Sequence, residues 1–226
     1  TTGITPASQS QYEGYQGTEL PPGTVVSCGS QFEIVQRLGE GGMARVYLAE
    51  DAKTGAPVAV KILAINDFHG NLRPPAGGFR ERDPQDPAKS IDVAAGGAEH
   101  LASAVRELGE KNPNHVFVAA GDLVGASPLL SALFNDEPTV ESLGLMGLAL
   151  SAVGNHEFDR GAAELLRLQR GGCHPEKGCR GPQPFAGARF QYLAASTIDT
   201  RTGQPILPAY AVKRFEGIPV AFIGLR

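Results

Sequence analysis

The sequence predicts a layered α/β fold, because short apolar runs typical of buried strands alternate with amphipathic stretches typical of helices. Strands are expected at 58–65, 116–120, 148–153, 190–195, 210–215 and 219–224. Helices are expected at 94–111, 139–146 and 161–170. The first helix would turn towards the core an apolar face made of Leu101, Ala104, Val105 and Leu108. Residues 73–91 are rich in Pro, Gly and charge, so we expect a mobile loop there.

Length and composition describe a chain that can bury one core of ordinary size and carry an appendage, with 226 residues of which 42% are hydrophobic. A net charge of −4 without a basic stripe offers no footprint for nucleic acid. The longest apolar stretch, 143–153, is interrupted by glycines and is too short to cross a bilayer. Residues 1–31 lack periodicity and are rich in Thr, Ser, Gln, Gly and Pro, which predicts a disordered tail without a visible signal peptide.

Polar motifs follow the first three predicted strands at the point where each strand ends. They are Asn66-Asp67-Phe68-His69-Gly70-Asn71, Gly121-Asp122 and Gly154-Asn155-His156-Glu157-Phe158-Asp159. Because ligands of open α/β sheets collect at the carboxyl ends of the strands, these side chains are expected at one sheet edge. Carboxylate, imidazole and amide groups form a hard, mixed oxygen and nitrogen site, which suits divalent Mn, Zn, Fe or Mg. One such motif alone is weak evidence, but three in the same context indicate a metal-dependent hydrolase.

The three motifs resemble the first three sequence blocks of the calcineurin-like metallophosphoesterases. The strings NDFHGNL (66–72), GDLVGASPL (121–129) and GNHEFDRG (154–161) are similar to those of the bacterial 5′-nucleotidase and cyclic phosphodiesterase branch, as is the segment 171–195. The resemblance covers residues 62–226. It implies a four-layer α/β/β/α sandwich, of which this sequence would hold the N-terminal, incomplete part.

The resemblance implies a centre with two divalent metal ions, which could be Zn, Mn, Fe or Mg. Asp67 and His69 would bind one ion, and Asn155 would bind the second. Asp122 would bridge the two ions, which need a shared anion when they lie about 3.5–4 Å apart. The neutral amide of Asn155 would add an oxygen ligand without over-neutralising the charge of the metals.

The same resemblance assigns the catalytic roles to His156 and Asp159. His156 would contact the substrate phosphate and donate to a phosphoryl or leaving-group oxygen, while Asp159 would fix its tautomer and raise its basicity. Asp159 could also cap the helix that follows. The implied reaction is the hydrolysis of nucleotide phosphomonoesters by two-metal water activation, as in 5′-nucleotidases. The implied partner is therefore a small-molecule phosphate ester, with a nucleotide as the first candidate.

The resemblance is incomplete on its C-terminal side. Members of the family have two later blocks that supply further histidine ligands, one of them Gly-His-x-His, and a separate substrate domain. The other histidines of this sequence, His100, His115 and His174, stand in different contexts. We therefore keep a non-catalytic fragment as the alternative to an active phosphoesterase, and thiosulfate-ester hydrolysis on the same scaffold as a further one.

Two cysteines, Cys173 and Cys179, bracket a short loop that contains Pro and Gly. A turn can close that spacing, and the family that the sequence resembles is usually periplasmic or extracellular, where disulfides form. We expect Cys173 and Cys179 to be bonded to each other and Cys28 to be free. A structural zinc site with His174 is the alternative, but it would have too few ligands.

The segment 32–61 resembles a different family, the bacterial Ser/Thr protein kinases. Its strings LGEGGMARVY and VAVK are similar to the glycine-rich loop and the lysine-bearing strand of those enzymes. The resemblance implies a small β-hairpin in which Gly39, Gly41 and Lys61 approach nucleotide phosphates. Because no catalytic loop and no D-F-G motif follow, we interpret the chain as a chimera of two fragments, with an ATP-binding module as the alternative.

Overall fold

A computed structural model of the chain describes residues 25–27, 31–41, 44–51, 60–93 and 95–226. The chain divides into two compact units, Thr1–Val58 and Ala59–Arg226. In the first unit, an antiparallel sheet is formed in chain order by β1 (Val25–Ser27), β2 (Gln31–Gly41) and β3 (Ala44–Asp51).

Two segments predicted from the sequence, the N-terminal tail and the hairpin, overlap the strands of this sheet. Val25–Ser27 belongs to the predicted tail but forms β1, because it pairs with the start of β2. The predicted hairpin corresponds to the antiparallel pair of β2 and β3. Gly39 and Gly41 lie at the end of β2. Residues 42 and 43 between these two strands lie outside the described residues, as do residues 1–24 and 28–30 of the predicted tail, which include Cys28, and residues 52–59 of the kinase-like segment.

Strands and helices alternate along the second unit. Its strands are β4 (Lys61–Ile65), β5 (Phe79–Arg82), β6 (Ser90–Val93), β7 (His115–Ala119), β8 (Leu148–Ala152), β9 (Gln191–Leu193), β10 (Ile198–Asp199), β11 (Gln204–Pro205), β12 (Tyr210–Phe215) and β13 (Ile218–Ile223). Its helices are α1 (Gly97–Glu110), α2 (Leu129–Ala132), α3 (Glu137–Leu145) and α4 (Ala162–Arg170). One turn of 3-10 helix, His156–Phe158, follows β8.

A parallel sheet of four strands, in the order β4-β7-β8-β9, organises this unit. Helices lie in the chain between each pair of neighbouring strands, because parallel neighbours need a crossover connection. The ladder pairs Ile65 with Ala119 and Ala119 with Ser151, so the strands end at a common edge. The predicted α/β class is therefore confirmed, with strand bounds close to those expected.

The remaining strands of the unit form two-stranded antiparallel sheets, β5 with β6, β10 with β11 and β12 with β13. The first of these corrects the prediction of a mobile loop at 73–91. β5 pairs with β6 although all of its side chains are exposed. The pairing thus depends on backbone hydrogen bonds and leaves no burial pattern in the sequence. The strands β10 and β11 and the helix α2 are likewise too short to produce a periodic pattern.

The core of the second unit lies between the parallel sheet and its helices. Its most buried large side chains include Leu143 and Val140 on α3, Leu165 on α4, and Tyr192 on β9. Each of the two helices therefore turns one apolar face towards the sheet. In the part of the chain that the structure describes, no helix is both long and apolar enough to cross a membrane.

Helix α1 covers the core less completely than its sequence predicts. Two of the four residues on its predicted apolar face pack against the core, but Ala104 and Leu108 are exposed. The helix instead buries Gly109, where an added Cβ would lie 2.7 Å from His115 Nε2. The imidazole therefore leaves no room for a side chain at position 109, and the apolar pattern alone does not show this contact.

Cys173 and Cys179 are joined by a disulfide, with their Cα atoms 4.4 Å apart. Inside the loop that it closes, His174 Nδ1 accepts hydrogen bonds from the backbone N–H groups of Glu176 and Lys177, both at 3.2 Å. The disulfide uses both sulfurs, so neither cysteine can act as a thiolate ligand, which argues against the alternative of a zinc site.

Candidate metal centre

The predicted motifs lie at the common edge of the parallel sheet, each in the loop that follows a strand. The loop after β4 carries Asp67 and His69, and the loop after β7 carries Asp122. The loop after β8 carries Asn155 and His156. Because the strands are parallel and end together, the three loops are neighbours.

Backbone hydrogen bonds hold the first two loops together. Asp67 N donates to the Gly121 carbonyl at 3.2 Å, and His69 N donates to the Asp122 carbonyl at 3.0 Å. Asp67, His69 and Asp122 all have a positive φ, between 46° and 52°. This left-handed conformation costs a non-glycine residue roughly 1–2 kcal/mol, and such strain is concentrated at functional sites. The hydrogen bonds between the loops help to offset that cost.

Glycine is required where the second and third loops approach each other. Gly121 has a φ of 100°, and a Cβ there would lie 2.5 Å from Gly154 N. Gly125 has a φ of 84°, and a Cβ there would lie 2.6 Å from the His156 carbonyl oxygen. A side chain at either position would push the loops apart, which explains the glycine directly before Asp122.

His69, Asp122 and His156 come together as a group of potential ligands, with one ligand atom from each lying within 4.8 Å of the others. The two imidazole rings meet edge to face, with centroids 4.8 Å apart. His69 Nδ1 lies 2.9 Å from the Gly125 carbonyl oxygen, and His156 Nδ1 lies 2.8 Å from Asp159 Oδ2. Metal-binding histidines typically use one nitrogen for such a bond, which leaves Nε2 for the metal. The donor set therefore fits a divalent cation.

Asp67, another of the predicted ligands, stands beside this cluster rather than in it. The Asp67 side chain is 56% exposed, and its Oδ1 lies 3.7 Å from His69 Nε2. Asn66 donates a hydrogen bond to the other oxygen of Asp67. Asn155 is exposed at the start of the 3-10 turn. The roles of Asp67 and Asn155 as ligands stay predictions.

Glu157 is a buried carboxylate that the sequence analysis does not single out. It is only 3% exposed and accepts hydrogen bonds from the backbone N–H groups of Asp122, Leu123 and Gly154. Burial raises the pKa of this carboxyl, and the three backbone hydrogen bonds oppose that shift. The sequence holds little signal for such a role, because a glutamate in a turn is usually exposed to solvent.

The hydrogen bond between His156 and Asp159 raises the pKa of His156, desolvation opposes that shift, and the charges of Asp159, Asp122 and Glu157 add to the increase. A raised pKa favours the protonated imidazole, which can donate to an anionic oxygen.

Asp159 does not cap α4, the second role that the sequence allows for this residue. The N-cap of α4 is Gly161, and the Asp159 carboxylate bonds His156 instead.

Comparison with known proteins gives one family. Residues 60–203 match the sequence model of the family described as calcineurin-like phosphoesterase. An uncharacterized protein in the pqq-V 5′ region of Acinetobacter calcoaceticus is 47% identical over 163 residues, which are 70% of this chain and 80% of the relative. Endonuclease YhcR of Bacillus subtilis is 39% identical over 173 residues, 74% of this chain and 13% of the relative. Cell wall protein Lmo0130 of Listeria monocytogenes is 34% identical over 198 residues, 81% of this chain and 24% of the relative.

Nucleotidases are among the more distant relatives. A 2′,3′-cyclic-nucleotide 2′-phosphodiesterase/3′-nucleotidase of Yersinia enterocolitica is 25% identical over 174 residues, 74% of this chain and 23% of the relative. The fold matches the NAD nucleotidase (NadN) of Haemophilus influenzae with a TM-score of 0.59 at 24% identity, over 74% of this chain and 26% of that one. The chain thus covers only 13–24% of the length of three of these relatives, the endonuclease, the cell wall protein and the 2′,3′-cyclic-nucleotide 2′-phosphodiesterase/3′-nucleotidase.

The kinase resemblance finds no support in these matches, because the family match begins at residue 60. Lys61, the predicted phosphate-binding lysine, is the first residue of β4. Its Nζ donates to the Leu108 carbonyl near the end of α1, at 3.1 Å, which suits a cation at a helix C-terminus. Phosphate binding by Gly39, Gly41 and Lys61 stays a prediction.

Proposed function

The chain belongs to the calcineurin-like phosphoesterase family, and we propose that it hydrolyses nucleotide phosphate esters with the help of bound divalent metal ions. The observation that carries the proposal is the convergence of His69, Asp122 and His156 at the carboxyl edge of the parallel sheet. Relatives named as an endonuclease and as a 2′,3′-cyclic-nucleotide 2′-phosphodiesterase/3′-nucleotidase support a nucleotide substrate.

We propose that two ions bind, with Asp122 shared between them. Asp67 and His69 would hold one ion and Asn155 would contribute to the other, and this oxygen and nitrogen set suits Zn, Mn, Fe or Mg. The ions, when bound, would stabilise charge on the phosphoryl group as Lewis acids and lower the pKa of a bound water. The bond between His69 Nδ1 and the Gly125 carbonyl orients the ring so that Nε2 is left free.

In this proposal, His156 holds a proton for the substrate. Asp159 fixes the imidazole through Nδ1, so Nε2 is the nitrogen left to donate. The raised pKa of His156 extends the protonated form to higher pH. Donation to a phosphoryl or leaving-group oxygen would stabilise the negative charge that develops there in the transition state.

Nucleotide monoesters are the proposed substrates, and phosphodiesters are the second candidate. One finding favours the second candidate, because the relative at 39% identity is named an endonuclease. We favour small substrates because a chain with a net charge of −4 lacks the excess of cationic side chains with which proteins neutralise a polynucleotide backbone.

We also propose that the protein works outside the cytoplasm. One relative is named a cell wall protein, and the disulfide between Cys173 and Cys179 would persist in an oxidising compartment. Thiol counting on denatured, unreduced protein should find one free thiol, that of Cys28. Three free thiols would contradict the disulfide.

The test of the proposed function compares the wild type with Asp122→Ala and with the control Asp92→Ala. Asp92 is an exposed carboxylate on β6 that pairs with Arg80 at 3.2 Å. We expect the wild type and Asp92→Ala to bind Mn²⁺ or Zn²⁺ and to hydrolyse p-nitrophenyl phosphate and AMP, and Asp122→Ala to lose both properties. Bis(p-nitrophenyl) phosphate, assayed in parallel, separates diester from monoester hydrolysis.

Two results would decide against this function. A wild type that binds no divalent metal would contradict the metal centre, and identical behaviour of Asp122→Ala and Asp92→Ala would do the same. A wild type that binds metal but hydrolyses none of the esters would instead favour the alternative of a non-catalytic fragment.

A further inference from the structure

Hydrogen bonds in both directions join the loop after β8, which carries His156 and Glu157, to the loop after β7, which carries Asp122. Glu157 Oε2 accepts from Asp122 N at 2.9 Å, and Glu157 Oε1 accepts from Leu123 N at 2.8 Å. In return, His156 N donates to Asp122 Oδ1 at 2.9 Å. Glu157 Oε2 also accepts from Gly154 N at 2.6 Å. One carboxylate therefore binds the backbone of both loops.

The left-handed backbone at Asp122 creates the need for such an acceptor. With its φ of 52°, this residue turns the chain after β7, and its N–H and that of Leu123 both meet the Glu157 carboxylate. Leu123 is fully buried, so an unpaired N–H there would lose its hydrogen bond to water without a replacement and would destabilise the fold. A carboxylate has two acceptor oxygens and no donor, so it can accept all three N–H groups. A glutamine would set its own NH₂ group against one of them.

Glu157 is not placed to bind a metal ion itself. Both of its oxygens are taken by backbone N–H groups, and its side chain is almost completely buried. The cluster of potential ligands contains Asp122 and not Glu157. Its influence on the cluster therefore passes through the backbone of Asp122.

We propose that Glu157 is a positioning residue of the metal centre, which keeps the Asp122 carboxylate beside His69 and His156 by fixing the backbone of both loops. The metal itself rests on the proposed function, whereas the hydrogen bonds that carry this inference do not. Removing groups that orient metal ligands typically costs about 10–100-fold in metal affinity. Glu157 orients its ligand through the backbone on two sides, so its loss releases two loops at once.

The test uses Glu157→Gln, Glu157→Asp and the matched control Glu164→Gln. Glu164 is also buried, but its carboxylate binds the Arg167 side chain on α4. We expect the Mn²⁺ affinity, measured by calorimetry, to fall about tenfold or more in both Glu157 variants and to stay within about twofold in the control. Glu157→Asp keeps the charge on a shorter side chain, so wild-type affinity in this variant would contradict positioning. An equal loss in the control would contradict it too.

Hydrogen exchange in the metal-free protein separates this inference from the proposed function. In the wild type, the amides of Asp122, Leu123 and Gly154 should be as protected as those of the parallel strands, although they lie in loops. In Glu157→Gln, these amides should lose protection while those of α4 keep it. Fast exchange of the three amides in the wild type would overturn the inference, and this result decides the matter even if Glu157→Gln does not fold. A wild type that binds no Mn²⁺ would overturn the proposed function, while the exchange pattern would still decide whether Glu157 holds the loops.

Discussion

Two regions of the molecule stabilise carboxylates in different ways. Glu137 and Glu164 are paired with the side chain of Arg167, whereas Asp122 is bonded by a backbone N–H group. Arg167 Nε and Nη2 donate to Glu164 at 2.8 and 2.9 Å, and Nη1 donates to Glu137 at 2.8 Å. The guanidinium also lies over the Phe185 ring, 5.6 Å from its centroid. The hydrogen bonds with Glu164 raise the pKa of Arg167, so its charge is secure. In this cluster the chain supplies every partner.

The Asp122 carboxylate accepts a hydrogen bond from a backbone N–H group instead of from an arginine, and two imidazoles lie close to it. The backbone of His156 donates to the Asp122 carboxylate, and Glu157 fixes the Asp122 backbone. His69, Asp122 and His156 are only partly buried, and two of them have a left-handed backbone. The difference indicates that buried carboxylates which are neutralised by an arginine of the same chain have a structural role. A strained group that keeps free ligand atoms is suited to a cation from solution.

The largest expected effect comes from Asp122→Ala and His156→Ala, which separate metal binding from proton donation. Removing Asp122 should remove bound metal. His156→Ala should keep the metal content and lower kcat and kcat/KM together, by about 10²–10⁴-fold, since the interaction is made in the transition state. Metal analysis beside AMP hydrolysis checks both variants. Equal metal loss in the two would make His156 a ligand, as its place in the cluster allows.

Arg167→Met tests the other side of the comparison. It leaves Glu164 and Glu137 buried without their cation, and breaking a buried ion pair in this way costs about 3–5 kcal/mol of unfolding free energy. Urea unfolding should show this loss, while the folded variant should keep its Mn²⁺ affinity. Arg170→Met, at an exposed position of the same helix, is the control. Wild-type stability in Arg167→Met would refute the distinction between the two clusters.

Asp159→Asn should have a smaller effect, of about tenfold on kcat/KM, because it acts through the imidazole. The Asp159 hydrogen bond raises the pKa of His156, so the pKa of His156 should be lower in Asp159→Asn than in the wild type. If protonated His156 is the donor, activity is lost as pH rises through that pKa. The alkaline limb of the pH profile of kcat/KM should therefore move to lower pH. An unmoved limb would show that Asp159 does not tune His156.

The smallest expected effect is that of Lys61→Ala. The change removes the hydrogen bond to the Leu108 carbonyl, which is worth about 0.5–1.5 kcal/mol. Metal content should not change, because Lys61 stands at the start of β4 and the metal cluster follows its end. Calorimetry with ATP should show no binding in the wild type. Saturable ATP binding that is lost in the variant would instead support the kinase resemblance.

The sequence predicts the sheet and the edge at which the site lies, because the features that reveal them are local. The apolar run of β4 stands directly before Asp67, and that of β8 stands directly before the Gly154-Asn155-His156 turn. Parallel strands then bring the loops together, whatever the details of each turn. The family resemblance of the motifs follows from the same short segments.

The tertiary structure alone decides which of these side chains meet. His156 joins the cluster with His69 and Asp122, whereas Asp67 stays beside it. Glu157 meets the backbone of Asp122 across 35 positions of sequence. No local pattern reports such a contact, because it depends on where N–H groups point after two loops with unusual backbone angles have packed together. The sequence by itself therefore predicts where polar groups gather, and only long-range packing decides their partners.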